Sequence, residues 1–215
     1  MIKISDVVLN ILESSETASE AMRSGVLNLR AYARQIQAQV EGKTFKPVKI
    51  GTIVVAMSRL RSSINKIESL VPNITLVELS IKSPLVDITY EKTGESVRLA
   101  HSFSPNLEHG NNHFFTMTQG TNEITFIISD GMKSDLLNHF TAKPKAIFTD
   151  LVGLSVRFNE SYLSHPNVIY AILSKLAIKR VNVIEIVSTY TELMVVVEKK
   201  EMEVAISQLN ELFKK

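Results

Sequence analysis

His109 and His113 stand four residues apart, and Glu108 directly precedes the first of them. On a helix this spacing would bring both imidazoles to one face, where they could ligate a metal ion. The Gly-Asn-Asn segment between them favours a loop, which does not hold the two rings at a fixed distance. We therefore interpret them as surface histidines, and we expect neither a metal site nor a cofactor.

The familiar catalytic motifs do not occur in the sequence. It contains no phosphate-binding GxxxxGK[ST] loop, no GxSxG nucleophile elbow and no HExxH zinc motif. Because there is no cysteine, there is also no thiolate nucleophile and no disulfide framework. No acid–base pair or nucleophile stands out, so we predict a protein that is not an enzyme.

The composition is ordinary for a globular protein, with 45% of the 215 residues hydrophobic and 21% charged. No apolar run approaches the roughly 18 residues that a membrane-spanning helix needs. The opening MIKISDVVLNILESSE has one lysine before a short apolar stretch and acids directly after it, which does not fit a signal peptide. We expect a cytoplasmic protein that does not act at a membrane.

The small net charge of +2 hides a basic N-terminal third. Residues 21–66 contain a single acid, Glu41. The basic residues of the same range are Arg23, Arg30, Arg34, Lys43, Lys46, Lys49, Arg59, Arg61 and Lys66. A skew confined to one predicted domain concerns its partners rather than its fold, and it favours a negatively charged partner.

Apolar residues recur at spacings of three and four in this third, which predicts helices over 5–22, 29–40 and 51–67, with Ser5 and Asn28 as N-caps. Three short amphipathic helices suit a helix-turn-helix or winged-helix domain that reads DNA. The side chains that would contact nucleic acid are Arg30, Arg34, Thr52, Arg59, Arg61 and Lys66. The alternative is a helical bundle whose basic face is solvated or docks onto protein.

From residue 73 the apolar pattern alternates, as in strands with one buried face. The strands are predicted at 74–81, 85–92, 113–119, 123–129, 145–150, 151–158, 181–189 and 192–199, and the helices at 133–140, 167–179 and 200–213. The polar stretch 93–112 shows no clear helix. The apolar positions of MTQGTNEITFIISDGMKSDLLNHF (117–140) recur 69 residues later in IVSTYTELMVVVEKKEMEVAISQL (186–209). We predict an α+β fold with a helical domain at 1–70 and two ferredoxin-like β-α-β-β-α units at 73–149 and 150–215.

The stretch SHPNVIYAILSKLAIKRVNVIEIVSTYTELMVVVEKKEMEVAISQLNELF resembles an ACT domain. The resemblance rests on the helix entered through Ser-His-Pro, the VNV that opens the second strand, the STYTELMVVV hairpin and the final amphipathic helix. It is greatest to the tandem ACT pair in the regulatory half of aspartokinases, and it covers 150–213 by sequence and 73–149 by pattern. The Lys- and Gly-rich motif that opens the kinase domain is absent. The resemblance implies a module that binds small molecules, typically amino acids, and changes an attached activity.

The resemblance also implies where a ligand would bind. Among ACT domains the ligand usually lies between the loop after the first strand and the beginning of the second strand, often that of a neighbouring unit. Carried over to this chain, the contacts would be Asn159, Glu160, Ser161, Ser164, His165, Asn167, Asn182 and Val183. The N–H groups at the start of the following helix suit a carboxylate, and Glu160 could meet an ammonium group. Tyr162 and Leu163 could instead fill the space, which would leave the repeat as an assembly surface only.

Two functions remain open at this stage. In the first, the paired ACT-like units sense an amino acid, and the basic helical domain transmits the signal to DNA. In the second, the chain is a stand-alone regulatory or scaffold subunit of an amino-acid metabolic enzyme. Either way we expect a homo-oligomer, most simply a dimer formed through the ACT-like sheets.

Overall fold

The structure is a computed structural model that describes residues 2–64, 71–103 and 113–213. The chain divides into two compact units, Met1–Pro72 and Asn73–Lys215. Each unit has hydrophobic clusters of its own. Among the described residues, no helix is both long enough and apolar enough to cross a membrane.

Within residues 2–64 the first unit contains four helices: α1 (Ile4–Glu13), α2 (Glu16–Arg23), α3 (Leu29–Thr44) and α4 (Ile50–Ile64). The single helix predicted over 5–22 is wrong, because the side chain of Ser15 accepts from the Ala18 N–H and starts a new helix. Ser5 is not an N-cap, since α1 begins at Ile4 without a side-chain cap. The Asn28 cap is confirmed by a 3.0 Å bond from the Ala31 N–H.

One buried face from each helix forms the core of this unit. The fully buried side chains include Val8 and Leu12 of α1, Val40 of α3, and Ile53 and Met57 of α4. Glu41 links α3 to the segment before α4, because its carboxylate accepts from the Val48 N–H at 2.9 Å. No β-strand occurs within residues 2–64, so the hairpin that defines a winged helix is not seen there.

The second unit is built on one antiparallel sheet of six strands in the order β2-β3-β1-β4-β6-β5. The strands are β1 (Leu76–Glu91), β2 (Phe115–Gln119), β3 (Glu123–Ser129), β4 (Ala146–Phe158), β5 (Val183–Ser188) and β6 (Glu192–Glu198). The helices are α5 (Gly94–Ser102), α6 (Lys133–His139), α7 (Val168–Ile178) and α8 (Met202–Asn210). The predicted order β-α-β-β-α therefore occurs twice, as β1-α5-β2-β3-α6 and as β4-α7-β5-β6-α8.

The two repeats share their long strands. Residues 85–91 of β1 pair with β3 of their own repeat, whereas residues 76–82 pair with the second half of β4. The second half of β4 pairs in turn with β6. Each repeat thus receives its fourth strand from the other. The prediction of separate strands at 74–81 and 85–92, and at 145–150 and 151–158, is wrong, because pairing across the repeats makes each pair one continuous strand.

Alternating side chains of the central strands divide the second unit into two faces. On one face, Val86, Ile88 and Tyr90 pack with α5 and α6, and Val152, Leu154 and Val156 pack with α7 and α8. The stretch predicted without a helix contains α5, whose first turn is held by a capping box between Thr93 and Ser96. Its signal was weak because only Val97, Leu99 and Ala100 mark the buried side of so short a helix.

Among the described residues of this unit, no helix packs on the opposite face, called the helix-free face below, yet its centre is buried. Leu85, Leu151, Val196 and their neighbours are at most 4% exposed, and they contact Phe114, which precedes β2, and Val187 of β5. Because β2 and β5 are the two edges of the sheet, both edges must bend over the same face. The sheet is therefore curled, and it covers part of its own surface.

Candidate functional site

The two repeats differ in the segment between their first strand and first helix. In the first repeat only residues 92–93 separate β1 from α5, whereas in the second repeat the nine residues 159–167 separate β4 from α7. This longer segment contains a short 3₁₀ helix, Glu160–Ser164. Additional chain at an equivalent place in a repeat is where function is most easily added to a fold.

Local hydrogen bonds give this nine-residue segment its shape. The Asn159 carboxamide accepts from the Ser161 N–H at 2.9 Å and starts the 3₁₀ helix. The His165 N–H donates to the carbonyl of Tyr162 at 2.9 Å, and the His165 Nδ1–H donates to the carbonyl of Ser161 at 2.8 Å. The Tyr162 and His165 rings meet edge to face with their centroids 5.9 Å apart. The segment therefore presents a fixed aromatic wall to the start of α7.

A cavity of about 420 Å³ lies between this wall, the first turn of α7 and the β5–β6 turn. Its volume falls within the range of small-molecule sites. The residues that line it are Phe158, Tyr162, Leu163, His165, Asn167, Val168, Ile169, Tyr170, Ser188, Thr189 and Tyr190.

The first turn of α7 faces this cavity without a side-chain cap. Asn167 adopts a left-handed conformation with φ 67°, and its side chain accepts no bond from the helix. The first N–H groups of any helix lack partners inside the helix. At the equivalent place in the first repeat, Thr93 and Ser96 bond each other's backbone N–H groups at 3.0 and 2.7 Å. The start of α5 is therefore closed by its own side chains, whereas that of α7 can receive an acceptor from a ligand.

The residues inferred from the family resemblance do not all lie at this cavity. His165 and Asn167 line it. Asn159 and Glu160 line a neighbouring depression of about 400 Å³ together with Arg157. Ser161 and Ser164 are exposed on the 3₁₀ helix and are not among the residues that line either space.

Asn182 and Val183 lie at the far end of β5. Ser188, which lines the cavity, lies at the other end of this strand. It is five residues, and therefore about 17 Å, from Val183. The Asn182 N–H donates to both carboxylate oxygens of Glu201 at 3.3 Å. Within one chain, these two residues are therefore separated from His165 and Asn167.

Sequence reasoning missed the β5–β6 turn, where Ser188, Thr189 and Tyr190 complete the cavity. The signal was available in the strand order of the repeat. Arg157, near the end of β4, pairs with Glu192 at the start of β6, so the preceding turn must lie at the end of the sheet where β4 enters the 3₁₀ helix. Assigning STYT to the turn at this end of the sheet would have identified Ser188, Thr189 and Tyr190 as cavity residues.

Another cavity, of about 380 Å³, lies on the helix-free face of the sheet. Its lining includes Glu78, Lys82 and Glu192, and it is therefore more highly charged than the cavity at α7. Nearby, Arg157 donates two hydrogen bonds, at 2.9 and 3.1 Å, to the same carboxylate oxygen of Glu78.

Asp87 is buried deeper in the same face and is only 2% exposed. The pKa of its carboxyl is raised from 3.8 to about 6 by burial and, to a lesser extent, by the negative charge of Glu185, whereas the Thr89 hydroxyl, which donates at 3.3 Å, lowers it. The sheet therefore holds a carboxyl whose charge is opposed by its surroundings.

In the first unit, the described basic residues proposed for nucleic acid are exposed. Arg30 and Arg34 are one turn apart on α3, and Thr52 and Arg59 share a face of α4. Arg61 instead reaches Gly25, which follows α2: a Cβ added to Gly25 would lie only 2.6 Å from the guanidinium of Arg61. Lys66 lies outside the described residues.

Metal-ligating side chains do not cluster in the part of the chain that the structure describes: no group of three His, Cys, Asp or Glu could hold an ion there. His113 is exposed, while His109 and Glu108 lie outside the described residues.

No protein-family model matches the sequence, and no curated protein resembles it detectably. Solved structures do match. The ligand-free regulatory subunit of aspartate kinase from Thermus thermophilus matches with a TM-score of 0.53 and 12% identity over 67% of this chain and 100% of its own. The aspartokinase alpha and beta subunits match with a TM-score of 0.51 and 16% identity over 65% of this chain and 99% of the other.

The aspartate kinase of Clostridium acetobutylicum also matches, with a TM-score of 0.51 and 16% identity over 65% of this chain but only 35% of the enzyme. At these identities the matches establish the fold alone. They confirm that the chain contains a tandem ACT-like pair with the fold of aspartate kinase regulatory subunits.

Proposed function

We propose that the second unit is a regulatory module that binds a free amino acid in the cavity at the start of α7. The observation that carries this proposal is the nine-residue segment 159–167, which forms a cavity beside an uncapped helix in one repeat only. The structural neighbours support it, since that from Thermus thermophilus is a regulatory subunit and that from Clostridium acetobutylicum is an allosteric enzyme.

The chemistry of the cavity suits an amino acid at both of its charged ends. The ligand carboxylate accepts from the N–H groups of the first turn of α7, where the helix dipole is positive. The ammonium group donates to neutral acceptors, which are the Asn167 carboxamide and the hydroxyl groups of Ser188 and Thr189. The ligand side chain then lies against Tyr162 and Ile169.

A thermal-shift screen over the twenty amino acids tests this proposal. A ligand at 100 times its dissociation constant should add about 2.7 kcal/mol to the free energy of unfolding. Ile169→Trp should fill the cavity and abolish the shift. Val204→Trp is the matched control, because Val204 lies on α8 with 45% exposure, close to the 48% of Ile169. A flat response of the wild type across all twenty would overturn the proposal.

We further propose that the first unit provides the output by binding nucleic acid. Exposed Arg30, Arg34 and Arg59 motivate this, since such residues neutralise phosphates. The amino acid would act by binding one of two conformations more tightly and so changing the affinity for nucleic acid.

Fluorescence anisotropy with duplex DNA at about 50 and about 200 mM salt tests this output, because phosphate contacts weaken steeply over that interval. Arg30→Glu with Arg34→Glu should remove binding, whereas Lys179→Glu, an exposed cation of the second unit, should not. Absence of DNA binding at the lower salt, with and without amino acids, would favour the alternative role as a subunit that docks onto an amino-acid metabolic enzyme.

We also propose that the chain forms a homodimer through the edges of its sheet. The edge strands β2 and β5 each pair with one neighbour only, and Ile186 of β5 is 44% exposed. Light scattering would measure the oligomeric state.

A further inference from the structure

The cavity at α7 is lined by carbon-rich side chains. They come from the end of β4, the 3₁₀ helix, the first turn of α7 and the β5–β6 turn, and they include Phe158, Tyr162, Leu163, Val168, Ile169 and Tyr190. Leu163, Ile169 and Tyr190 are between 43% and 68% exposed, so a ligand could cover them further. Apolar surface removed from water is the main source of affinity in such a site.

None of the eleven lining residues is an Asp, Glu, Lys or Arg. The polar members are His165, Asn167, Ser188 and Thr189, together with the tyrosine hydroxyls. They can hydrogen-bond the two main-chain groups of an amino acid. An ionic ligand side chain would lose its water here without meeting an opposite charge, which is unfavourable.

The charged residues of this end of the sheet lie in the neighbouring spaces instead. Glu160 and Arg157 line the adjoining depression, and Glu78, Lys82 and Glu192 line the cavity on the helix-free face. The chain therefore keeps its charged side chains out of the space at α7.

Building on the proposed function, we infer that the ligand is an amino acid with an uncharged apolar side chain, aliphatic or aromatic, and that the cavity excludes lysine, arginine, aspartate and glutamate. Phe158, Tyr162 and Leu163 determine this specificity by surrounding the ligand side chain. The first repeat has no counterpart of these walls, because its two-residue connection leads directly into the capped start of α5.

Isothermal titration of the full chain with leucine, phenylalanine, lysine and aspartate tests the inference. We expect leucine or phenylalanine to bind at least about tenfold more tightly than lysine or aspartate, since even a single methylene group contributes that much discrimination in an apolar pocket. If no amino acid binds, the proposed function fails together with the inference. If lysine or aspartate binds as tightly as the apolar pair, the inference alone is overturned and the proposed function stands.

A variant with a charge in the cavity wall tests whether these residues determine the ligand specificity. Leu163→Glu adds a carboxylate to the wall and should weaken the binding of the apolar ligand at least about tenfold while strengthening that of lysine. Val204→Glu is the matched control, because Val204 is as exposed as Leu163, at 45% against 43%, and is not among the cavity residues. Unchanged preference in Leu163→Glu, or an equal change in both variants, would overturn the assignment of these walls.

Discussion

The side chain of Asp87 is a carboxyl group whose negative charge is opposed by burial and by Glu185. It lies on the helix-free face of β1, in the neighbourhood of buried Leu85 and of Glu185, and the Thr89 hydroxyl is the hydrogen-bond partner that the structure gives it. Its folded pKa of about 6 lies above the ordinary 3.8, so the folded chain holds a proton that the unfolded chain has released between these values. The free energy of unfolding must therefore fall as the pH rises through this window.

Asp87→Asn removes this charge and keeps the shape of the side chain. We expect the variant to be more stable than the wild type at pH 7 by about 1–3 kcal/mol, from a pKa difference of about two, and to lose the decline between about pH 4 and pH 6. Urea unfolding at several pH values measures this. Parallel stability curves for the two proteins would contradict the assigned cause.

Tyr162 connects the cavity to the segment that enters the sheet. Its ring lines the cavity, and its hydroxyl oxygen accepts from the Thr75 N–H at 3.1 Å. Thr75 stands between Ile74 and Leu76, which are 3% and 4% exposed in the core under α7 and α8. It also follows Pro72, the last residue of the first unit, by three positions.

Tyr162→Phe keeps the ring and removes the acceptor of this bond. We expect a loss of about 1 kcal/mol in the free energy of unfolding and faster amide hydrogen exchange at residues 74–76. Tyr190→Phe, which removes a hydroxyl from a side chain that is 68% exposed, is the control. Equal exchange rates in the two variants would show that the bond does not hold this segment.

At the scale of elements, the central pair β1 and β4 holds the second unit together. Each of these strands serves both repeats, and residues 85–90 of β1 and 151–154 of β4 are packed on both faces. Gly153 of β4 illustrates how closely, because it lies between Leu85 of β1 and Met194 of β6 on the helix-free face. A Cβ at this position would come within 2.9 Å of Leu85 Cδ1 and 2.6 Å of Met194 Sδ.

Gly153→Ala should therefore destabilise the second unit by about 1–3 kcal/mol, the usual cost of inserting a methyl group into a filled core. Gly94→Ala is the control, because nothing lies within 4 Å of its Cβ and alanine suits the first turn of α5. Chemical denaturation compares the two variants. Equal stabilities would mean that Leu85 and Met194 move aside without cost.

At the scale of the whole molecule, the chain consists of two units with separate hydrophobic clusters. The buried residues of the first unit's cluster lie within 7–57, and those of the three clusters of the second unit lie from 74 onward. A unit with its own core can fold alone. The cavity at α7 is likewise lined entirely by residues of the second unit.

A fragment of residues 73–215 should therefore unfold cooperatively and bind the same amino acid as the full chain. Circular dichroism during denaturation and isothermal titration measure the two properties. A fragment that unfolds without cooperativity would show that the second unit depends on residues 1–72.

The amino-acid sequence by itself determined which side chains face the core, because burial depends on a local period of two in strands and of about 3.6 in helices. It therefore sufficed for most of the repeated β-α-β-β-α order, although it missed α5. The cap at Asn28 followed from the type of its side chain, and the candidate site before α7 came from the resemblance to ACT domains. Only the tertiary structure decided that β1 and β4 run unbroken through both repeats, because pairs such as Leu76 with Phe158 join residues far apart in the chain. The same pairing decided the cavity, since it brings the β5–β6 turn to Tyr162 and leaves Asn182 at the other end of the strand. Local periodicity carries no information on which distant strands become neighbours, and the register between them sets which side chains share a site.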